Sequence, residues 1–517
     1  MAHESRSRFA VIIILAGIVI ITGLQCVRIS PKAIKEYAEV AVEPRISPDY
    51  SEIVIPTNIA PINFRILEQG QRYFVKVRAG SDKAIDIFNK TGQVRIPPSQ
   101  WRALLESSKG NKIFFDIYVM DTEKNWRKFR SITNTIAKDD IDSYIVYRRM
   151  KPIYNWWKGI GIYQRNLASY DESLVMHGSS FEEGCLNCHS FIGNNPGTMT
   201  LGLRSAAYGS STLLARNGRV NKIGSKWGYT AWHPNGKLVV YSINKVRQFF
   251  HTGRMEVRDV VDLDSALVCY FIEENRAVCP DQLSDKNRLE TYPAWSPDGK
   301  YLYFCSAPVL WNDRNTVPPE NFDKLKYDLC RVSFDLSSNS WGQVETVLSA
   351  EETGLSILLP RISPDGRFLL FCMCKYGCFP VYQPNSDLYI MDLSKGEYRS
   401  VAVNSKYSES WHSWSSNSRW IAFSSKREDG LFTRTYLSYV DGEGKVHKPF
   451  VLPQRDTEYY DSLLETYSVP ELITGRIKAS KSQLARAARG KESISVDVPI
   501  TSATPKVSEL EPWVERE

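Results

Sequence analysis

The feature that most constrains the fold is a five-residue turn sequence that occurs four times in the second half of the chain. Proline fixes φ, Asp or Asn tolerates the left-handed region, and glycine supplies a positive φ, so each copy predicts a tight turn. A strand-like run follows each copy, at 238–242, 301–305, 368–372 and 420–424. The copies are Trp232-His233-Pro234-Asn235-Gly236, Trp295-Ser296-Pro297-Asp298-Gly299, Ile362-Ser363-Pro364-Asp365-Gly366 and Trp414-Ser415-Ser416-Asn417-Ser418.

The repeated unit also contains a second strand, which we expect to end in aspartate, at Asp259, Asp335, Asp392 and Asp441. One such unit cannot bury both of its faces alone, so several units must stack. This pattern is typical of a β-propeller. Four blades are visible over 226–455, and we expect five or six in all. The additional blades would come from 198–225 or from the N-terminal region.

Composition places the chain among globular proteins of two or three domains. It has 517 residues, of which 43% are hydrophobic and 24% charged. These values exclude a disordered chain, a collagen, a coiled coil and a small disulfide scaffold. The net charge of +7 is small for this length and is spread along the chain, so nucleic acid is not an expected partner.

The predicted organisation is mainly β. After an N-terminal anchor at 1–28 and a stalk at 29–45, alternating runs predict a small β-sandwich-like domain over 46–150 with one short helix at 99–107. A segment rich in Tyr, Trp, Gly and Asn covers 151–225, the propeller covers 226–455, and a tail covers 456–517.

Residues 9–27 are apolar and contain no charge, which is just long enough for a transmembrane helix. A cleaved signal peptide is an alternative, but the apolar run is long and no A-x-A-like cleavage site follows it. A lipoprotein anchored at Cys26 is a weaker alternative, because the preceding residues do not match a lipobox. We expect a retained single-pass anchor.

The sequence Cys185-Leu186-Asn187-Cys188-His189 is a C-x-x-C-H motif, the attachment signature of c-type haem. Cys185 and Cys188 would form the thioethers, and His189 would be the proximal iron ligand. Alternative interpretations are a redox dithiol, half of a zinc site or a disulfide. No second ligand pair with zinc spacing is present, and the segment lacks a βαβ pattern. Haem is attached outside the cytoplasm, so the motif predicts that the bulk of the chain lies in the periplasm.

The sixth iron position stays open between Met199, His177, Met176 and no protein ligand at all. A methionine ligand would raise the potential, and a second histidine would give a lower one. Arg165 and Arg204 are candidates for pairing with a haem propionate. Candidate pocket walls are Tyr154, Trp156, Trp157, Tyr163 and Phe191.

Several strings carry a resemblance to a family of bacterial membrane-anchored proteins that join a c-type cytochrome motif to a TolB-like, WD-repeat-like propeller. The resemblance covers most of 40–470 and implies a periplasmic haem-bearing propeller with no defined reaction. It also implies a histidine shortly after the haem motif, where this chain has Gly202. The matching strings lie at 56–61, 161–165, 184–190, 295–299, 408–420 and 449–454.

We therefore expect an inner-membrane, single-pass protein with one covalent haem c that transfers one electron at a time. The propeller would dock a redox or envelope protein partner. The alternative is a binding scaffold, or a redox or gas sensor in which the haem does not act as an electron carrier. An enzyme is less expected than either.

Overall fold

The computed structural model describes residues 34, 36–80, 84–151 and 159–496, and for Cys188 the backbone only. The predicted anchor at 9–27 lies outside the described residues. Among the described helices, none is long and apolar enough to cross a membrane. No disulfide joins the cysteines whose side chains are described.

The N-terminal part consists of a seven-stranded and a three-stranded sheet that share one apolar core with helix α1 (Pro98–Ser107). The helix confirms the expected one at 99–107, and its Trp101 is buried and donates Nε1–H to the Ile59 carbonyl. The strands are β1 (Ala38–Val40), β2 (Ile46–Ser47), β3 (Val54–Ile55), β4 (Phe64–Ile66), β5 (Arg72–Ala79), β6 (Ala84–Asn89), β7 (Gln93–Val94), β8 (Lys112–Met120), β9 (Trp126–Phe129) and β10 (Ile132–Ile136).

The rest of the described chain is a propeller, in which six four-stranded antiparallel sheets are arranged as blades. The first blade is closed by the C-terminal strand, which pairs with the first strand after the sandwich. Blade one consists of β34 (Thr466–Ile473), β11 (Tyr144–Met150), β12 (Gly161–Asn166) and β13 (Glu172–His177). Blade two consists of β14 (Cys185–Phe191), β15 (Met199–Ser205), β16 (Gly209–Arg216) and β17 (Arg219–Ile223). Blade three consists of β18 (Gly228–Trp232), β19 (Leu238–Phe250), β20 (Arg258–Phe271) and β21 (Arg276–Val278).

Blades four to six contain the remaining strands, and two further helices are α2 (Ala350–Thr353) and α3 (Lys481–Arg489). Blade four consists of β22 (Arg288–Trp295), β23 (Tyr301–Pro308), β24 (Asp328–Asp335) and β25 (Ser340–Leu348). Blade five consists of β26 (Ser356–Ile362), β27 (Phe368–Cys374), β28 (Asp387–Asp392) and β29 (Glu397–Ser400). Blade six consists of β30 (Glu409–Trp414), β31 (Trp420–Ser425), β32 (Arg434–Tyr439) and β33 (Phe450–Val451).

The four predicted turns connect the first and second strands of blades three to six. Gly236, Gly299 and Gly366 have φ of +72°, +72° and +75°, and Ser418 takes the same left-handed region with φ of +61°. In the last three turns a serine hydroxyl donates to the side chain of the Asp or Asn two residues later. Local turn chemistry therefore explains why these four blades can be recognised in the sequence.

Several boundaries differ from the sequence interpretation. Strand β11, assigned to the sandwich domain at 46–150, belongs to blade one. The segment at 151–225 supplies regular strands to blades one and two, and the tail at 456–517 contains β34, which closes the ring. The place of these strands in the propeller was not predicted, because β34 pairs with a strand distant in sequence and blades one and two lack the turn motif.

Asp259 also differs from expectation. Asp335 and Asp392 end their strands as predicted, but Asp259 is the second residue of β20. The strands β19 and β20 have 13 and 14 residues and form the longest hairpin of the described propeller. Their extra length carries the tip of this hairpin to residues of blades five and six, as described below.

Candidate haem site

The C-x-x-C-H motif lies on β14, the innermost strand of blade two. Cys185 lies opposite Arg204, Asn187 opposite Gly202, and Phe191 opposite Met199 on β15. The pairing register breaks between Asn187 and Ser190, so Cys188 and His189 are the two residues at a β-bulge. The motif therefore sits where the ladder is locally irregular.

The same break recurs in the innermost strand of every blade. Its first residue has a positive φ in five of them: Tyr229 (+43°), Tyr292 (+55°), Leu359 (+57°), Trp411 (+46°) and Val469 (+52°). Positive φ is unusual for residues with a side chain and is kept only where the surrounding structure imposes it. The counterpart of these residues in blade two is Cys188.

The aromatic rings of three first bulge residues lie close together at the centre of the ring of blades. The Tyr229 ring centroid is 4.3 Å from that of Tyr292 and 6.1 Å from that of Trp411. The innermost strands contact one another in succession, and the Phe191 N–H to Glu471 Oε1 bond of 3.3 Å joins blade two to blade one. The bulges therefore form one layer around the central channel, and the motif occupies one sixth of it.

His189 is the second residue of its bulge, and its side chain is 1% exposed. The ring forms a hydrogen bond with the backbone of Val469, and Nε2 has no hydrogen-bond partner among the described residues. The bond to Val469 therefore uses Nδ1. Burial, aided by the charge of Arg148, lowers the pKa of His189 to about 3. The ring is neutral, is held by one nitrogen, and leaves the lone pair of the other unused.

His412 provides a comparison within the same molecule, because it is the second bulge residue of blade six. Its Nε2 lies 3.0 Å from the Leu370 carbonyl oxygen, and its Nδ1 lies 3.7 Å from Cys372 Sγ. Burial lowers the pKa of His412 to about 3 as well. Both nitrogens of His412 have partners, so this histidine is structural. At the same position, His189 differs in its unpartnered Nε2.

The free nitrogen and the donor set fit a haem ligand on the protein side. Metal-binding histidines use one nitrogen for the metal and orient the ring by donating the other N–H to a backbone carbonyl or carboxylate. His189 has this arrangement, inside a motif of the kind that holds haem c through two thioethers in c-type cytochromes. Cys185, His189 and Cys188 would hold the group.

Charged groups surround the histidine. Glu471 Oε2 lies 3.8 Å from His189 Nε2, and burial raises the pKa of this carboxyl to about 7. Arg148 on β11 donates to the Asn187 side chain within the motif and to Ser468 Oγ at 3.2 Å. Arg361 on β26 is close enough for its charge to lower the pKa of His189 further. The local field therefore contains two cations and one carboxyl with weakened acidity.

Gly202 explains why no histidine stands shortly after the motif on β15. A Cβ built on Gly202 would lie 2.9 Å from the Asn187 carbonyl oxygen and 3.2 Å from the Trp227 carbonyl oxygen. Any side chain there would push against the motif backbone on one side and blade three on the other. The distal histidine that the family resemblance implies has no room at this position.

The candidate sixth ligands lie in different places. Met199 is 1% exposed, next to the motif strand, in the apolar core that blades one and two share with α3. Met176 is fully buried in the same core. His177 is on β13, three strand spacings or roughly 14 Å from β34. Since His189 contacts β34, the structure does not bring His177 and His189 together.

His177 has another role in its strand. Its Nδ1 accepts the Ser179 N–H at 3.1 Å and lies 2.7 Å from Ser179 Oγ, which caps the 3-10 helix at Gly178–Phe181.

The other expected neighbours divide into those at the motif and those elsewhere. Arg204 lies opposite Cys185 and is exposed, and Phe191 ends the motif strand. Arg165 is buried and bonds the Gln454 side chain at 3.0 Å and the Pro453 carbonyl, and Tyr163 stacks with Arg149 at 4.8 Å. Tyr154, Trp156 and Trp157 lie outside the described residues.

A group of ionic contacts at the tip of the β19–β20 hairpin is not predicted by the sequence pattern. Glu256 accepts from Arg258 at 2.8 Å through both oxygens and from Lys426 of blade six at 2.5 Å. Asp259 accepts from Tyr376 OH at 2.8 Å. The signal in the sequence that could have indicated these contacts is the mixture of charged and strand-forming residues at 244–262. The hairpin of blade three is thus tied to blades five and six.

In the described part of the chain, no three His, Cys, Asp or Glu side chains lie together so that they could hold a metal ion.

Comparison with known proteins identifies no family. No protein-family model matches, and no curated protein matches. Solved structures with a similar arrangement include hydrazine synthase of Kuenenia stuttgartiensis (16% identity, 50% of this chain and 64% of that chain, TM-score 0.29). An oligogalacturonate lyase of Vibrio parahaemolyticus shows 10% identity over 73% of this chain and 100% of its own, with a TM-score of 0.30. Tricorn protease shows 13% identity over 70% and 34%, with a TM-score of 0.33.

Proposed function

We propose that the protein is a monohaem c-type cytochrome whose haem is built into a propeller and which passes one electron at a time. Cys185 and Cys188 would bind the porphyrin through thioethers, and His189 would ligate the iron. When bound, the haem supplies a one-electron couple. The carrying observation is the buried His189, oriented by Val469 and with Nε2 unpartnered, inside a C-x-x-C-H motif.

The protein environment would act on the couple in two ways. Burial of His189 would exclude water from the face of the haem that this histidine ligates. The positive charges of Arg148 and Arg361 would disfavour the additional positive charge of the oxidised iron. Nearby cations favour the reduced over the oxidised iron, so they raise the potential. The propeller rim would dock a redox or envelope protein partner, as the donor or acceptor that a single haem requires.

The proposed location follows from the cofactor. Haem c is joined to its protein outside the cytoplasm, so we propose that the bulk of the chain lies in the periplasm. The apolar run at 9–27 would anchor it to the inner membrane in a single pass.

The test is haem retention by the full chain, expressed with a c-type maturation system and extracted from membranes. We expect a c-type α-band that survives denaturing acid–acetone extraction and is lost in Cys185→Ala/Cys188→Ala. His189→Gln should perturb the iron spectrum, whereas His412→Gln, the matched control at the same bulge position, should leave it unchanged. A wild-type protein without covalent haem would refute the proposal.

A second candidate is a binding scaffold, or a sensor in which haem binds a gas or reports redox state. The observation that favours a scaffold is His412, which shows that a histidine at this bulge can have a purely structural role. A six-coordinate iron with a reversible midpoint supports electron transfer. A five-coordinate iron that binds CO supports a sensor, and absence of haem supports the scaffold.

A further inference from the structure

The central residue of the motif, Asn187, has a side-chain amide that is fixed at both ends. Its Oδ1 accepts a hydrogen bond from Arg148 Nη1. Its Nδ2 donates to Cys185 Sγ at 3.3 Å. The amide therefore bridges a guanidinium on blade one and the first thiol of the motif on blade two.

The orientation of this amide is determined by chemistry. Arginine can only donate hydrogen bonds, so the oxygen of Asn187 must lie on the Arg148 side. The NH₂ group then has to point at Cys185. Contact with a guanidinium charge also polarises the amide and strengthens its N–H donors.

Arg148 is itself held in place. It lies opposite Ser468 on β34 and donates Nη2–H to Ser468 Oγ at 3.2 Å. Among the described residues, no carboxylate lies within ion-pair distance of Arg148, and its Nε has no partner. Its two bonded side chains, those of Ser468 and Asn187, are thus neutral, and Asn187 is one of the two residues between the cysteines.

We infer that Arg148 and Asn187 are positioning residues that orient the Cys185 sulfur for covalent attachment of haem. This rests on the proposed function. In the attachment step the thiol adds across a haem vinyl group. The S–C bond forms, the vinyl π bond breaks, and the thiol hydrogen ends on the terminal vinyl carbon, so no electrons are gained or lost. The amide restricts the rotation of the sulfur that must meet the vinyl carbon.

The test counts thioether bonds. The Asn187→Asp variant still accepts from Arg148 but cannot donate to Cys185. We expect the ratio of two-bond to one-bond haem to fall about fivefold, the effect of one lost hydrogen bond. Mass spectrometry of the haem peptide measures the ratio. The pyridine haemochrome band is a second readout, because a haem that keeps a free vinyl group absorbs at longer wavelength.

Two further variants guard against a simple folding defect. Arg148→Gln leaves Asn187 in place but releases its amide, so it should lower the same ratio. Ser468→Ala is the matched control, because it removes the other bond of Arg148 and should leave both thioethers intact.

The outcomes separate the two proposals. A wild-type protein without haem overturns both. Wild-type protein with two thioethers, together with an unchanged ratio in Asn187→Asp and Arg148→Gln, overturns only the positioning role. A lowered ratio in Ser468→Ala equal to that in Asn187→Asp also overturns it, since the effect would then follow general loosening of the blade contact.

Discussion

The tip of the β19–β20 hairpin is tied to blade six by a buried charge cluster that predicts an asymmetric response to mutation. Lys426 is 3% exposed, Glu256 is 5% exposed, and Arg258 is 13% exposed. Burial lowers the pKa of Lys426 to about 8. Burial acts to raise the pKa of Glu256, but Arg258 and Lys426 outweigh it, so the net shift is downward. One carboxylate thus balances two cations.

Glu256→Gln removes the only carboxylate bonded to both cations, so Lys426 and Arg258 remain buried beside a neutral amide. Removing one partner of a buried ion pair costs about 3–5 kcal/mol. Lys426→Met leaves Glu256 paired with Arg258 and removes a cation that is costly to bury. The large cost of breaking a buried ion pair comes from the charge that is left uncompensated, and here Glu256 keeps both of its bonds to Arg258, so we expect a change within about 1 kcal/mol.

Calorimetry on the purified full chain measures the difference. A propeller of roughly 350 residues has an unfolding entropy of about 0.7 kcal/mol/K, so 1 kcal/mol shifts Tm by about 1.4 °C. Glu256→Gln should therefore lower Tm by about 4–7 °C, and Lys426→Met by no more than about 1–2 °C. Hydrogen exchange at 245–262 should rise in Glu256→Gln. Equal shifts in the two variants, or a shift below 1 °C for Glu256→Gln, would refute the reasoning.

Three further predictions concern other parts of the propeller. The pKa of His412 is about 3 in the folded protein and 6.5 in the unfolded chain, so the unfolded chain takes up a proton first and the free energy of unfolding falls as the pH drops from 6.5 towards 3. By pH 5 this loss of stability should reach about 2 kcal/mol, and acid denaturation should show a smaller loss in His412→Gln. Burial raises the pKa of Glu290 to about 8, so the free energy of unfolding falls as the pH rises from 4.5 to 8. Glu290→Gln should therefore raise the free energy of unfolding by about 2–3 kcal/mol at pH 7 and by little at pH 4, and an equal gain at both pH values would contradict this. Gly299 has φ of +72° and a Cβ there would lie 2.4 Å from His233 Nε2, so Gly299→Ala should cost about 2–3 kcal/mol by thermal unfolding, against about 1 for Gly354→Ala, which has φ of +68° and open space.

The mainly β architecture and the propeller were predictable because turn chemistry is local. Gly236 and Gly299 lie within short strings whose φ requirement is visible in the residue types. Blade one was not predictable, because β34 pairs with β11 across more than 300 residues and no local signal specifies that partner. The hairpin tip was missed for the same reason, since Glu256 and Lys426 are 170 residues apart.

The site shows the same division. The motif residues Cys185, Cys188 and His189 were identified from their spacing alone. Their placement at a bulge of an innermost strand was not, because a bulge depends on the register with β15. The role of Asn187 was equally hidden, since Arg148 comes from another blade. His177 is near the motif in sequence, but in the fold two strands lie between β13 and β34.

The bulge layer suggests how a haem motif can be accommodated without a separate cytochrome fold. Every blade already has two residues at the break, with an irregular backbone that the neighbouring blades hold in place. Five blades use this position for residues such as Tyr229 and Trp411, which fill the axis. A regular strand alternates its side chains between two faces, so Cys185 and Cys188, three residues apart, would be directed to opposite faces. The break between Asn187 and Ser190 interrupts that alternation within the motif. The propeller therefore supplies, within the motif, a local irregularity that a regular strand lacks.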